Sequence, residues 1–212
     1  MKSGLKWSAN LLLVLLLANC KNDDGNKGGS TGPAAPTGPG FSLIDAASTT
    51  WESDCILDDS PQRSFKRVFF LGDKSFSYQR TNYEGQTCEP AMMDWVFESY
   101  YNNVRFDSTS RLEGWKTIAY NVERITATPK KEVQVMDANQ KSNYGYTDWS
   151  LDQAKEITGR RFRQDAEPEL KAGAARERTF LIEGDVAYFA RKDDSGNYVD
   201  AKDQPFHKVI AK

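Results

Sequence analysis

Ser64-Phe-Lys-Arg-Val-Phe-Phe-Leu71, Gly72-Asp73, Lys74 and Ser75-Phe-Ser-Tyr-Gln-Arg-Thr-Asn-Tyr83 follow one another without interruption. Both outer runs are rich in aromatic and β-branched residues, the types that suit a pleated, half-buried surface. A Gly-Asp pair between two such runs is a hairpin signal, because glycine accepts the positive φ that tight turns need. Glu84-Gly85 ends the second run.

The same turn chemistry recurs near the end of the chain. Residues 178–183 and 186–191 flank Gly184-Asp185, which predicts a second hairpin. Between and around the two lie further strand-like runs. Residues 49–57 open with Trp51 and Cys55 at even spacing, and Asp58-Asp-Ser-Pro61 breaks them. Residues 94–106, 115–127 and 131–136 are expected as three more strands, and 206–210 as the closing one. Residues 137–143 read as a polar loop, and 165–175 as a mobile loop or frayed surface helix. One short helix is predicted over 150–158: Asp148 or Ser150 can cap it, Leu151, Ala154 and Ile157 share a face, and Gly159 ends it. Eight or nine short strands at regular spacing point to a mainly β, antiparallel up-and-down barrel, or alternatively a β-sandwich.

Composition supports a single domain of ordinary size over residues 41–212. All nine Tyr, all eleven Phe and four of the five Trp lie after residue 40, enough for a substantial core. Upstream, residues 22–40 hold no aromatic residue and no apolar side chain larger than alanine. Such a stretch cannot offset its ordering entropy, so it reads as a flexible linker spanning about 25 Å on average.

Met1 to Cys20 has the parts of an export signal: Lys2 and Lys6, an apolar run from Leu11 to Ala18, and a short polar exit. The run is roughly 8 residues against the about 20 that cross a bilayer. Leu17-Ala18-Asn19-Cys20 resembles the lipobox of bacterial lipoproteins, with Asn19 where that family usually has Gly or Ala. The resemblance implies a signal peptide over 1–19, then a Cys20 that carries diacylglycerol and a fatty-acylated (palmitate) amino terminus, with 20–40 as lipidated cysteine and tether. It places the protein in the cell envelope, held to the membrane by lipid. Lys21 after the cysteine favours the outer membrane, facing periplasm or surface. Removing Lys2 and Lys6 from the 28 basic residues leaves 26 against 30 acidic ones, a formal balance of −4. That balance gives no electrostatic footprint for nucleic acid.

With Cys20 assigned to lipid, Cys55 and Cys88 remain, and in an exported protein they are expected to pair. Cys88 would tie the exit of the first hairpin back to the first strand.

Trp51 in the first strand, Thr147-Asp148-Trp149 about a hundred residues later, and Arg191 near the last hairpin resemble the layout of lipocalins. That family is an eight-stranded barrel whose Arg packs over the first-strand Trp at the closed end. Here Thr49 stands in place of the family's Gly and Trp149 in place of its Tyr. The resemblance implies a carrier of a small apolar ligand, with Tyr78, Tyr101, Tyr120 and Tyr188 as candidate lining residues.

No catalytic set stands out. The single histidine, His207, sits in the closing strand without a Gly-x-Ser-x-Gly elbow to serve, and is expected to face solvent. Asp193-Asp194-Ser195-Gly196-Asn197 resembles half of a calcium loop but lacks the later glutamate, and reads as a plain hairpin turn. Arg160-Arg161-Phe162-Arg163 is the densest basic run and is expected as a solvated face. No metal site or cofactor is expected. The sequence predicts a non-enzymatic envelope lipoprotein. Its β-domain either carries a small apolar ligand or, filled, serves an envelope protein or cell-wall partner.

Overall fold

In chain order the strands are β1 (Thr49–Ser53), β2 (Ile56–Leu57), β3 (Arg63–Leu71), β4 (Phe76–Glu84), β5 (Met93–Asp107) and β6 (Lys116–Pro129). Helix α1 (Glu132–Lys141) comes next, then β7 (Lys155–Glu156), β8 (Ala175–Glu183), β9 (Val186–Phe189), β10 (Arg191–Lys192), β11 (Tyr198–Val199) and β12 (Phe206–Lys208). The computed structural model describes residues 49–209 except 59–61, 73, 108–111, 164, 165, 167 and 201. The expected signal peptide over 1–19, and the expected lipidated Cys20 and linker, lie outside the described residues. The described residues all belong to one compact unit, residues 41–212.

The architecture is mainly β and antiparallel. Each ring strand pairs with its neighbours in the chain order β3, β4, β5, β6, β8, β9, β12, and β1 pairs with both β12 and β3. Eight strands therefore close into an up-and-down ring. Closure removes the unpaired edges that an open sheet would expose. β2 and β7 add short strands to β3 and β6, while β10 and β11 form a separate hairpin.

Closing a sheet this small requires bent strands. β5 and β6 are the longest, and their pairing shifts register between Tyr100 and Tyr101 and again between Asn102 and Arg105, where Asn103 adopts φ 53°. Such bulges bend a strand and increase its twist. The disulfide joins Cys55 to Cys88 with Cα atoms 5.7 Å apart, linking the β1–β2 corner to the chain leaving β4.

Both predicted hairpins form. In β8–β9 the two-residue turn is Gly184-Asp185, and Gly184 has the expected positive φ of 63°. At β3–β4 the glycine serves a different purpose. Gly72 is not among the positive-φ glycines; its N–H donates to Ser75 O (2.8 Å), and an added Cβ would meet Ser75 Oγ at 2.8 Å. It allows close approach, not an unusual φ.

The helix is not where periodicity put it. Residues 131–136 were expected as strand and 137–143 as loop, yet Glu132–Lys141 is the α-helix. Val135 and Ala138, one helical turn apart, are buried, while Val133 and Met136 are 61% and 70% exposed. Val133 and Val135, one exposed and one buried, imitated strand alternation. Glu132 in the first turn and Lys141 in the last favour the helix dipole. Conversely, residues 150–158 form a turn with Asp152 at φ 58°, then β7. β8 pairs with β6 only as far as Asn121, leaving Thr126 and Ala127 free to pair with Glu156 and Lys155. A backbone with unpaired edge groups recruited the segment.

Candidate functional site

Alternation decides which side chains enter the ring. Neighbouring strands lie about 4.8 Å apart, so ring-to-ring contact between side chains on strands two or three steps apart requires them to converge inward. Phe69 on β3 does so with Phe189 on β9 (ring centroids 4.9 Å) and with Phe206 on β12 (5.1 Å). Arg178 on β8 lies 5.7 Å over the ring of Tyr78 on β4. The inner face is therefore the one bearing Trp51, Phe69, Leu71, Phe76, Tyr101 and Phe206, all of them buried.

This interior is filled by rings in contact. Phe76 stacks on Tyr101 (5.2 Å) and meets Tyr120 (5.3 Å); Tyr101 and Tyr120 are 4.6 Å apart. Trp51 stacks on Phe69 with planes 9° apart, and its buried Nε1 makes no hydrogen bond. Each contact adds on the order of 1 kcal/mol beyond area burial. Beside β5, Trp95 meets Trp149 edge-on (5.3 Å) and donates from Nε1 to Gln134 Oε1 of α1 (3.1 Å).

Three guanidinium groups share the inner parity. Arg80 sits 4.1 Å over Phe65, and Arg67 lies 5.2 Å over Phe65 and 5.6 Å over Phe206. Arg178 lies 5.5 Å over Phe189 in addition to Tyr78. Arg80 has a carboxylate at 3.7 Å, Asp58. Burial holds the Arg80 pKa below the usual arginine value, with Tyr78 and Asp58 opposing. At Arg178 burial also works against the charge, but Tyr120, Tyr78 and Tyr101 outweigh it and raise the pKa. Burial raises Tyr101 as well. Arg67 donates from Nη2 to Gln204 Oε1, and its buried Nε has no hydrogen-bond partner. A cavity of about 70 Å³ lies among Arg67, Arg178, Phe189, Arg191, Asp203 and Gln204.

The outward face of the same sheet differs. Glu52, Val68, Gln79 and Glu98 stand in register across β1, β3, β4 and β5. With Lys66, Lys130 and Asp152 they line a groove of about 600 Å³ bearing both signs of charge.

Of the four candidate tyrosines, the structure brings Tyr78, Tyr101 and Tyr120 to the inner face. Tyr188 alternates with the buried Ala187, faces outward and lies under Lys202 (5.6 Å). Trp51, the Thr147-Asp148-Trp149 segment and Arg191 occupy separate surroundings. Trp149 is buried and donates from Nε1 to Asn143 O (3.1 Å). Thr147 is exposed, and Asp148 pairs with Lys155 (2.9 Å), whose hydrogen bond holds its carboxyl below the usual range. Arg191 is half exposed and ion-paired with Asp203. His207 is exposed, 3.6 Å from Asp54. Asp193 Oδ1 accepts from Ser195 N and Asn197 N (both 2.9 Å), so this carboxylate caps its own turn. Arg160 lies 4.3 Å over Tyr146 and donates to Tyr144 O.

Arg67, Arg80 and Arg178 went unnoticed in the sequence, although a signal existed. Each sits two residues from inward aromatics on its own strand: Arg67 between Phe65 and Phe69, Arg80 beside Tyr78, Arg178 beside Phe180. Among the described residues, no group of three metal-ligating side chains gathers and no helix is long and apolar enough to cross a membrane. No family model matches the chain, and no curated protein matches it significantly.

Proposed function

We propose that the chain is an envelope lipoprotein, tethered through Cys20, whose β-domain is a filled, non-enzymatic interaction module for an envelope protein or cell-wall partner. The observation that carries this reading is the cross-ring contact of Phe69 with Phe189 and Phe206, beside the packing of Tyr101 on Tyr120 from neighbouring strands. A carrier of apolar molecules needs a pocket of about 300 Å³ or more that buries most of the ligand. Of the tyrosines that would line one, Tyr101 and Tyr120 are packed on each other, Tyr78 lies under Arg178, and Tyr188 faces outward. Of the two spaces, the small one is edged by arginines, and the larger one lies on the outward face, where Val68, Met93 and Val96 are interspersed with Glu52, Lys66 and Glu98 and do not enclose a ligand within the ring.

The short apolar run ending in the lipobox-like Leu17-Ala18-Asn19-Cys20, followed by a polar tether, supports the anchor. Titration of the purified chain with a fluorescent fatty acid tests the filled-module reading. No saturable signal is expected. Saturable binding at one site per chain would restore the carrier.

A further inference from the structure

We propose that the cavity between Arg67 and Arg178 is a binding site for a compact oxyanion, a phosphate or carboxylate group. The inference goes beyond the interaction-module reading and does not rest on it.

Charge on the inner face is unbalanced at this point. Among the described residues Arg67 and Arg178 have no carboxylate within ion-pair distance, whereas Arg80 has Asp58 and Arg191 has Asp203. Asp203 also lines the cavity, so three guanidiniums meet one carboxylate, and that carboxylate is already paired. Both guanidiniums are partly buried, and two facing one space repel; an anion between them offsets that repulsion and supplies the acceptor that Arg67 Nε lacks.

The donors are suited to that ligand. Both guanidiniums lie over aromatic rings, Arg67 over Phe65 and Phe206, Arg178 over Tyr78 and Phe189. Arg67 gives Nη2 to Gln204 and Arg178 has a hydrogen bond with Tyr120; the remaining in-plane N–H groups of each guanidinium are the donors that match the oxygens of one anion. Arg67 Nε is buried with no acceptor, an unusual state for a strong donor. Gln204 accepts from Arg67 through Oε1, which leaves its amide N–H₂ as a further donor on the cavity wall. Phe189 and Phe206 form apolar walls, and the lower local dielectric beside them strengthens hydrogen bonds made there. A volume of about 70 Å³ takes a charged group of a few heavy atoms and excludes an acyl chain.

Thermal unfolding of the full chain in inorganic phosphate, or in acetate, against chloride at equal ionic strength tests the site. A ligand bound only to the folded state raises the midpoint with its concentration. The wild type is expected to show a saturable rise with at least one of the two anions. Arg67→Gln and Arg178→Gln are expected to weaken the apparent affinity about tenfold or more, the loss for one charge-assisted partner. Arg105→Gln, on an exposed position of β5, is expected to keep the rise. No rise with either anion, or an equal rise in all three variants, would overturn the proposal. If the interior variants do not fold, the wild type decides. Its Arg67 Nε–H resonance should shift saturably with the active anion, and an unmoved resonance during a full titration would overturn the site.

Discussion

Asn139 of helix α1 and Trp149 hold each other through two hydrogen bonds: Asn139 Nδ2 donates to Trp149 O (3.0 Å), and Trp149 N donates to Asn139 Oδ1 (2.6 Å). One side-chain amide thereby satisfies both backbone groups of a buried tryptophan. The indole then meets Trp95, Tyr144 and Tyr146. The contact explains why the Thr147-Asp148-Trp149 segment is placed by the helix before it. Asn139→Ala leaves two backbone groups without partners, and a loss of about 2 kcal/mol is expected. The urea midpoint measures it, and Trp149 fluorescence should shift toward that of exposed indole.

Removing the disulfide should cost more. Cys55 and Cys88 are 33 residues apart, and closing a loop of that length stabilises by about 3 to 4 kcal/mol in the chain-entropy model. The Cys55→Ser, Cys88→Ser double variant is expected to lose that amount in denaturant unfolding. Reductant should lower the wild-type midpoint and leave the double variant unchanged.

Glu169 sets a pH dependence. Burial raises its pKa, with the hydrogen bond from Tyr144 Oη (3.3 Å) opposing. The same burial, with Glu169 beside it, raises Tyr144. A carboxyl whose folded pKa is raised contributes stability fully present below its unfolded value and lost as pH rises through the folded value. The ionised form of Glu169 therefore works against the fold. Glu169→Gln keeps the oxygen that accepts from Tyr144 and removes the charge. Its melting temperature should exceed the wild type's at neutral pH, and the gap should close as pH falls toward the ordinary glutamate range.

The proposed anchor predicts chemistry at one position. Cells fed a clickable palmitate analogue should label the wild-type chain and not Cys20→Ala. The variant should also leave the membrane fraction. A single acyl chain gives only marginal attachment, so stable fractionation depends on the full lipid set.

Much of the fold was legible because strand alternation is a short-range signal. Phe76 and Tyr78 mark one face of their strand, and Gly184-Asp185 announces its own turn. The helix was not legible, because Val133 and Met136 are exposed and only Val135 and Ala138 face the core. Burial is a tertiary fact that a local pattern cannot carry. The strand at Lys155–Glu156 was hidden for a related reason: it exists because β6 outruns β8 and offers free backbone. At the candidate site, the aromatic residues were visible as residues but not as contacts. Tyr101 and Tyr120 are diagonal neighbours through the register of β5 on β6, which a single strand's pattern does not carry. The inward arginines were readable by parity, yet whether a carboxylate meets them depends on ring closure, which joins β3 to β8 across the interior.

The most direct measurement is native mass spectrometry of residues 41–212 made in an oxidising compartment, followed by denaturing extraction of whatever travels with the chain. The filled-ring account predicts a single species two hydrogens lighter than the reduced chain, with no lipid-sized addition and nothing apolar in the extract. A stoichiometric lipid-sized mass, released on denaturation, would contradict it and make the domain a carrier.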